Sequence, residues 1–278
     1  HKLLKEVFLG ALRNKDVKIS KIKDSNFHKI LAEASSRWIS YESVPEICES
    51  AGIDSSWNRR AFQGLQLYVI DAVAVTSTNK ILALEWEEDI AGSARSELLE
   101  SRAMVMEASV AQKAAGKADN ICLDGSLVSR LTKSKPEAAS EIVKKCTSCI
   151  FISKTSESRL QFGPMGSKAG DIYYYGHTCK ESGFSIPVET QFCHAPLFEV
   201  YARLRDHTPV IRIEIMSNAT EQEVKSTLNK LRYHSVAGYP YCLKLAHNTC
   251  KITNEDIDRL ASIYGLQNEQ GARDALNE

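Results

Sequence analysis

The most regular hydrophobic pattern in the chain lies between residues 67 and 86. Leu67-Tyr-Val-Ile-Asp-Ala-Val-Ala-Val-Thr76 is β-branched and aromatic, Ser77-Thr78-Asn79 is turn chemistry, and a second apolar run follows from Ile81 to Trp86. Together they predict a β-hairpin. Ser93 then opens a helix, with Ser96, Glu97 and Glu100 in its polar early turns and Leu98, Leu99, Ala103, Met106 and Val110 as an apolar stripe ending at Gly116. Asn120 to Asp124 and Cys149 to Ser153 read as short buried strands, with a helix from Pro136 to Lys145 between them. Residues 171–176, 184–190, 197–204 and 209–216 read as further strands. Thr220 with Glu223 three residues on is a capping-box signature for a helix through Arg232. Gly238-Tyr-Pro240 breaks it, a helix runs to about Cys250, and Thr253-Asn254 caps a last one to Tyr264. Leu3 to Leu12 and Phe27 to Trp38 carry helical spacing. The expected organisation is a helical N-terminal segment over 1–60, an α/β domain over 61–266, and a polar tail over 267–278 that frays.

Composition narrows the class. A chain of 278 residues with 43% hydrophobic and 25% charged positions can bury a sizeable core, which excludes collagen-like, coiled-coil and disordered readings. No run approaches the roughly 18 apolar residues of a membrane span, and the N-terminus lacks a signal-peptide pattern. A soluble intracellular protein is expected, with its natural start upstream of His1. Of the eight cysteines, six (Cys48, Cys122, Cys149, Cys193, Cys242 and Cys250) sit in or beside apolar runs, as reduced core thiols do. Cys146-Thr-Ser-Cys149 has no second half for a zinc site; a local disulfide or redox pair is the alternative to buried thiols.

Charge cancels overall, with 35 basic and 35 acidic residues, so a uniformly basic coat for nucleic acid is excluded. Its distribution is uneven. Residues 1–30 and 129–168 each hold eight basic and three acidic residues, whereas residues 85–107 hold seven acids against Arg95 and Arg102. Such segregation suits a polyanion track beside a carboxylate-lined site, though solvated helix faces account for charge alone equally well.

Carboxylates placed where a core should not want them are the candidate chemistry. Asp71 interrupts the most apolar strand, and a bare buried carboxylate costs several kcal/mol. Asp124 ends another apolar strand and precedes Gly-Ser, and Glu107 lies on the helix between. Acids from three elements are what a divalent-metal nuclease site needs. Taken singly, Asp124 is also an ordinary turn former and Glu107 an ordinary solvated helix residue. Paired acids also serve glycoside hydrolysis, but near Asp71 and Asp124 only Tyr68 and Trp86 qualify as sugar platforms.

An ordered series of segments resembles the NurA nuclease family: Ser56-Trp57-Asn58, Leu67 to Val75 around Asp71, Glu107, Ile121-Cys-Leu-Asp124-Gly-Ser-Leu, Ile152-Ser-Lys154-Thr, and Gly238-Tyr-Pro-Tyr-Cys-Leu-Lys-Leu-Ala-His247. One departure is Ala72-Val73 after the first aspartate, where many relatives carry Gly-Ser. A second is Cys149-Ile150-Phe151 where some relatives place a tyrosine. The resemblance implies an α/β RNase H-like mixed sheet flanked by helices. It also implies a metal centre of Asp71, Glu107, Asp124 and His247 holding two Mn²⁺ ions, with Mg²⁺ as the substitute, roughly 3.5–4 Å apart. Lys154, with Lys133 and Lys135, would contact DNA phosphates, while His177, His194, His207 and His234 read as surface or satisfied core histidines. The activities implied are 5′ to 3′ exonuclease on single- and double-stranded DNA and endonuclease on single strands, in DNA end resection. A homodimer, a hexameric HerA-type ATPase partner and a nucleoid-associated cytoplasmic location go with them, and the apolar helix from Leu3 is a candidate contact surface. A non-catalytic RNase H-like DNA-binding subunit is the alternative.

Overall fold

The computed structural model describes residues 2–192, 195–216 and 219–266. The tail expected at 267–278, Cys193 and His194 lie outside them. Helices α1 (Lys2–Ser20) and α2 (Phe27–Ser36) precede a short strand β1 (Trp38–Ser40). The sheet proper begins with β2 (Ser50–Ala61), which continues antiparallel into β3 (Gln66–Thr76) and β4 (Ile81–Ala91). Helix α3 (Ser96–Ala114) then leads to β5 (Asn120–Asp124), parallel to β2, and α4 (Leu127–Lys133) and α5 (Pro136–Lys145) lead to β6 (Cys149–Ser153), parallel to β5. After α6 (Asp171–Thr178) come β7 (Gly183–Ser185), β8 (Val188–Phe192), β9 (Ala195–Arg203) and β10 (Ile211–Ile215), and β10 lies antiparallel to β6. Helix α7 (Glu221–Tyr233), a two-residue pair β11 (Ser235–Val236) and β12 (Tyr239–Pro240), and helices α8 (Tyr241–Cys250) and α9 (Asn254–Ile263) complete the described chain. The strand order is β1-β7-β9-β10-β6-β5-β2-β3-β4, with β8 beside β9.

A three-stranded antiparallel meander with two parallel strands added on the side of its first strand is the RNase H-like arrangement, as expected. Strand alternation divides the core in two. Ala51, Ile53, Leu123 and Phe151 face α3, α4 and α5, while Cys122, Ile150, Ile152 and Ile213 face α7 and α8. Gly52 lies on the second face, and a Cβ there would overlap the backbone of Cys242 and Leu243. The absent side chain lets α8 lie directly on β2, two residues before Asp54.

The hairpin and both caps form as read: Thr220 with Glu223 and Thr253 with Asp256 each close a capping box. The α3 stripe forms in part: Leu99, Ala103 and Val110 are buried, but Leu98 faces solvent and the buried face turns toward Glu107, Ala111 and Ala114. Residues 184–190, read as one strand, divide at Ile186-Pro187 between β7 and β8, and three further readings differ. Residues 171–178 are helical, because Tyr174 and Tyr175 bury their rings against Phe162 and Phe27, Trp38 and Tyr201 in a helix-on-sheet layer that overrides the β preference of Ile172-Tyr-Tyr-Tyr175. Residues 50–61, placed by sequence in a helical segment, form β2, the strand shared by the meander and the parallel layer. The third is α4, seven residues that the sequence reading leaves unassigned. The seven described cysteines are free and buried, Cys146 and Cys149 among them. Helix α1 turns Val7, Phe8, Leu12 and Val17 to solvent. No described helix is long and apolar enough to cross a membrane.

Candidate active site

Strand register builds the site. β2 and β5 run parallel with Gly52 opposite Cys122 and Ile53 opposite Leu123, so the next step brings Asp54 level with Asp124. Both aspartates lie on the α8 face where the parallel pairing of β2 with β5 ends: Asp124 is the last residue of β5, while β2 runs on past Asp54 to Ala61 against β3. Asp124 ends its strand because Gly125 follows with φ +99°, a left-handed conformation that favours glycine. Burial pushes the Asp54 carboxyl up from its usual range, and the charge of Asp124 adds to that rise, while the hydrogen bond from His247 opposes it.

Each acid is already engaged. His247, on the last turns of α8, places Nδ1 2.9 Å from Asp54 Oδ2 and is otherwise exposed. The Tyr239 hydroxyl donates to Asp124 Oδ1 at 2.8 Å, and Lys154 Nζ stands 3.4 Å from Asp124 Oδ2 and 4.5 Å from the centre of the Tyr239 ring. Glu107 is buried on the opposite face of the sheet. It accepts from Ser55 Oγ at 2.5 Å and pairs with the buried guanidinium of Arg130, which also donates to the Asp124 carbonyl. Consecutive residues of β2 therefore serve opposite faces: Asp54 meets His247, and Ser55 meets Glu107.

The expected residues divide accordingly. Asp124 and His247 share the α8 face, His247 bonded to Asp54 and Lys154 to Asp124, while Glu107 lies on the other face and is tied in through Ser55 and Arg130. Asp71 does not stand level with them: it sits inside β3 opposite Ser56, two positions further out than Asp54. Its Oδ1 is buried without a hydrogen-bond partner, and burial, with a smaller contribution from the charge of Asp54, pushes its pKa up to about 7. Lys133 pairs with Glu100 at 2.7 Å on the α3 side, and Lys135 immediately precedes α5. Sequence reasoning passed over Asp54, although Asp54-Ser55-Ser56 follows an apolar tripeptide, Ala51-Gly-Ile53, much as Asp124-Gly-Ser follows Ile121-Cys-Leu123. Arg130 and the role of Tyr239 were also passed over.

Two aspartates, a glutamate and an imidazole are a donor set suited to Mn²⁺ or Mg²⁺. Among the described residues no three His, Cys, Asp or Glu side chains stand close enough to hold an ion as they are placed. Lys154 and Arg130 now supply the positive charge beside the carboxylates. The donor chemistry nonetheless fits a divalent cation, because the Asp54 carboxyl is raised by burial and by its neighbour's charge, both of which such a cation offsets.

Fold and strand-end carboxylates together define an RNase H-like α/β protein with an acidic site at the carboxyl edge of its sheet. A family model described as the NurA domain matches residues 49–252, and the chain belongs to that family. The match begins at β2 and ends just beyond α8. A relative from Sulfurisphaera tokodaii, a DNA double-strand break repair nuclease NurA, is 24% identical over 132 residues, covering 42% of this chain and 38% of the relative. The crystal structure of the NurA nuclease from Sulfolobus solfataricus superposes with a TM-score of 0.80 at 19% identity, over 96% of this chain and 97% of that one. A NurA structure bound to dAMP and manganese superposes at 0.66 with 11% identity, over 96% and 98%. These structural likenesses establish the shared fold.

Proposed function

We propose that this protein is a divalent-metal-dependent DNA nuclease that hydrolyses phosphodiesters where the parallel pairing of β2 and β5 ends, with Mn²⁺ as its ion. The observation that carries the reading is the level placement of Asp54 and Asp124 on adjacent parallel strands, with His247 bonded to Asp54 and Glu107 bonded to the neighbouring Ser55. Family membership and a relative's structure with dAMP and manganese support it. In this reading Asp54, Asp124, Glu107 and His247 form the metal centre, and Asp71 lies behind it. Bound divalent ions supply a lowered pKa for the attacking water and charge stabilisation at the leaving oxygen. A proton on Nδ1 directed at Asp54 would leave His247 the Nε2 lone pair for ligation, the carboxylate–histidine arrangement that fixes a ligand's tautomer. Tyr239 holds one oxygen of Asp124 in place. Lys154 exchanges that carboxylate for a substrate phosphate and Lys135 extends the basic edge, while Lys133 is held by Glu100.

The finer activities belong to the same proposal: 5′ to 3′ exonuclease on single- and double-stranded DNA and endonuclease on single strands, in end resection. So do a homodimer and a hexameric HerA-type ATPase partner, for which the exposed apolar residues of α1 offer a surface. End-labelled DNA incubated with Mn²⁺, Mg²⁺ or EDTA tests the core claim: cleavage must require the ion and vanish in Asp54→Ala. One observation favours a second reading, a non-catalytic DNA-binding subunit. Arg130 already neutralises Glu107. DNA binding without cleavage under any ion would establish that alternative.

A further inference from the structure

Beneath the turn that follows Asp124 lies a buried ionic group that the metal centre does not use. Arg212 and Glu214 on β10 and Glu199 on β9 are all buried, and all three face α4. Arg212 reaches Glu199 Oε2 with Nε at 2.7 Å and Nη2 at 2.6 Å, and the same Nη2 lies 2.6 Å from Glu214 Oε1. Two carboxylates around one guanidinium leave a net negative charge in the interior. Such a group is weak evidence for stability, since well-packed apolar residues serve as well or better. Its remaining hydrogen bonds have a direction. Glu214 accepts from Ser126 Oγ at 3.0 Å and from the Leu127 amide at 2.5 Å, one of the donors that a helix start leaves without an intrahelical partner. Arg212 Nη1 lies 3.0 Å from the same Ser126 hydroxyl. Glu199 accepts from Ser158 Oγ at 2.8 Å, across a cleft of about 700 Å³ that Asp124, Ser126, Lys154, Ser158 and Arg212 help to line.

We propose that Glu214, oriented by Arg212, is a positioning residue for the metal centre. It fixes the Asp124-Gly125-Ser126 turn from below and pins the start of α4. That helix carries Arg130 to Glu107 and to the Asp124 carbonyl, so one clamp sets the aim of two acids on opposite faces of the sheet. Gly125, at positive φ, gives the turn a flexibility that the clamp removes. The inference rests on the metal-site reading above.

Mn²⁺ binding to the metal-free full-length chain, read from the electron paramagnetic resonance of free Mn²⁺, tests it without relying on activity. Glu214→Ala is expected to raise the Mn²⁺ Kd about 10- to 100-fold, the usual cost of losing an outer-shell partner. Glu214→Gln keeps an acceptor for the Leu127 amide and restores most of the affinity. Glu223→Ala is the control. That acid closes the capping box at the start of α7 and touches nothing in the clamp, so its loss lowers the melting temperature and leaves the Kd at the parental value. Should Glu214→Ala fail to fold, Arg212→Lys keeps the charge but loses the fork that grips Glu199 and the Nη1 contact with Ser126, and is expected to raise the Kd several-fold. Parental Mn²⁺ affinity in a folded Glu214→Ala or Arg212→Lys variant overturns the proposal, as does an equal loss in Glu223→Ala. If the parent binds no Mn²⁺, the metal-site reading itself falls and takes the clamp with it.

Discussion

Replacing Asp71 with Asn separates a buried, protonatable acid from the metal ligands. Asp71 has one oxygen sealed from water with no partner, and its pKa rises from 3.8 to about 7. A folded-state pKa above the unfolded value means the native protein holds a proton that the unfolded chain releases. Stability from this group is therefore complete below about pH 4 and is lost as pH climbs through about 7. At about 1.4 kcal/mol per pKa unit the full shift sets a ceiling of about 4 kcal/mol. Partial exposure of Asp71 to water reduces that to about 2 kcal/mol. Asn is the neutral isostere of the protonated acid and has no such dependence. In EDTA, Asp71→Asn should match the parent near pH 4 and exceed it by about 2 kcal/mol at pH 8, or about 4–8 °C in melting temperature for a domain of this size. Thermal melts at half-unit pH intervals measure it. A variant less stable than the parent at pH 8, or a difference that does not change with pH, would refute the reasoning.

The same variant should retain most Mn²⁺-dependent cleavage, whereas Asp54→Ala and Asp124→Ala should each abolish it; the reverse ranking, read from end-labelled DNA, returns Asp71 to the centre. Gly52→Ala drives a methyl group into the Cys242 carbonyl and should cost about 1–3 kcal/mol by denaturant titration. Because α8 carries His247, it should also weaken Mn²⁺ binding. Lys154→Ala should reduce the salt dependence of single-strand binding by a slope of about 0.7. Lys133→Ala should leave it nearly unchanged, since Glu100 already neutralises that lysine; filter-binding titrations at several salt concentrations compare the two.

What the sequence reveals of this fold follows the density of apolar residues. β3 is legible because ten of its positions form one β-branched and aromatic run, and α7 and α9 are legible because their caps are local chemistry. β2 is hidden because Asp54-Ser-Ser-Trp-Asn-Arg-Arg60 is mostly polar and shows no clean alternation: its strand character comes from neighbours on both sides, not from its own side chains. That concealment carried the site with it. Once β2 is missed, Asp71 is the acid that stands out inside an apolar strand, and the level pairing of Asp54 with Asp124 is invisible, because register between strands some 70 residues apart leaves no local trace. Asp124 and Glu107 are legible from flanking Gly-Ser and helical spacing. The Arg130 and Glu214 contacts span strands and helices that only the assembled sheet brings together.

The opposite facing of Asp54 and Ser55 has a consequence for how this chain can change length. Side chains in a strand alternate strictly, so one residue inserted between Ile53 and Asp54 would carry the aspartate onto the α3 face. It would then meet Glu107 in place of the Ser55 hydroxyl, and His247 would face the inserted residue. Both faces would lose their chemistry at one stroke, although composition and hydrophobicity would hardly alter. The turns of the meander, at residues 62–65 and 77–80, lie outside the paired stretch and carry no such alternation. The peptide bond joining Asp54 to Ser55 is thus a fixed point of the reading frame, against which drift elsewhere in the chain can be measured.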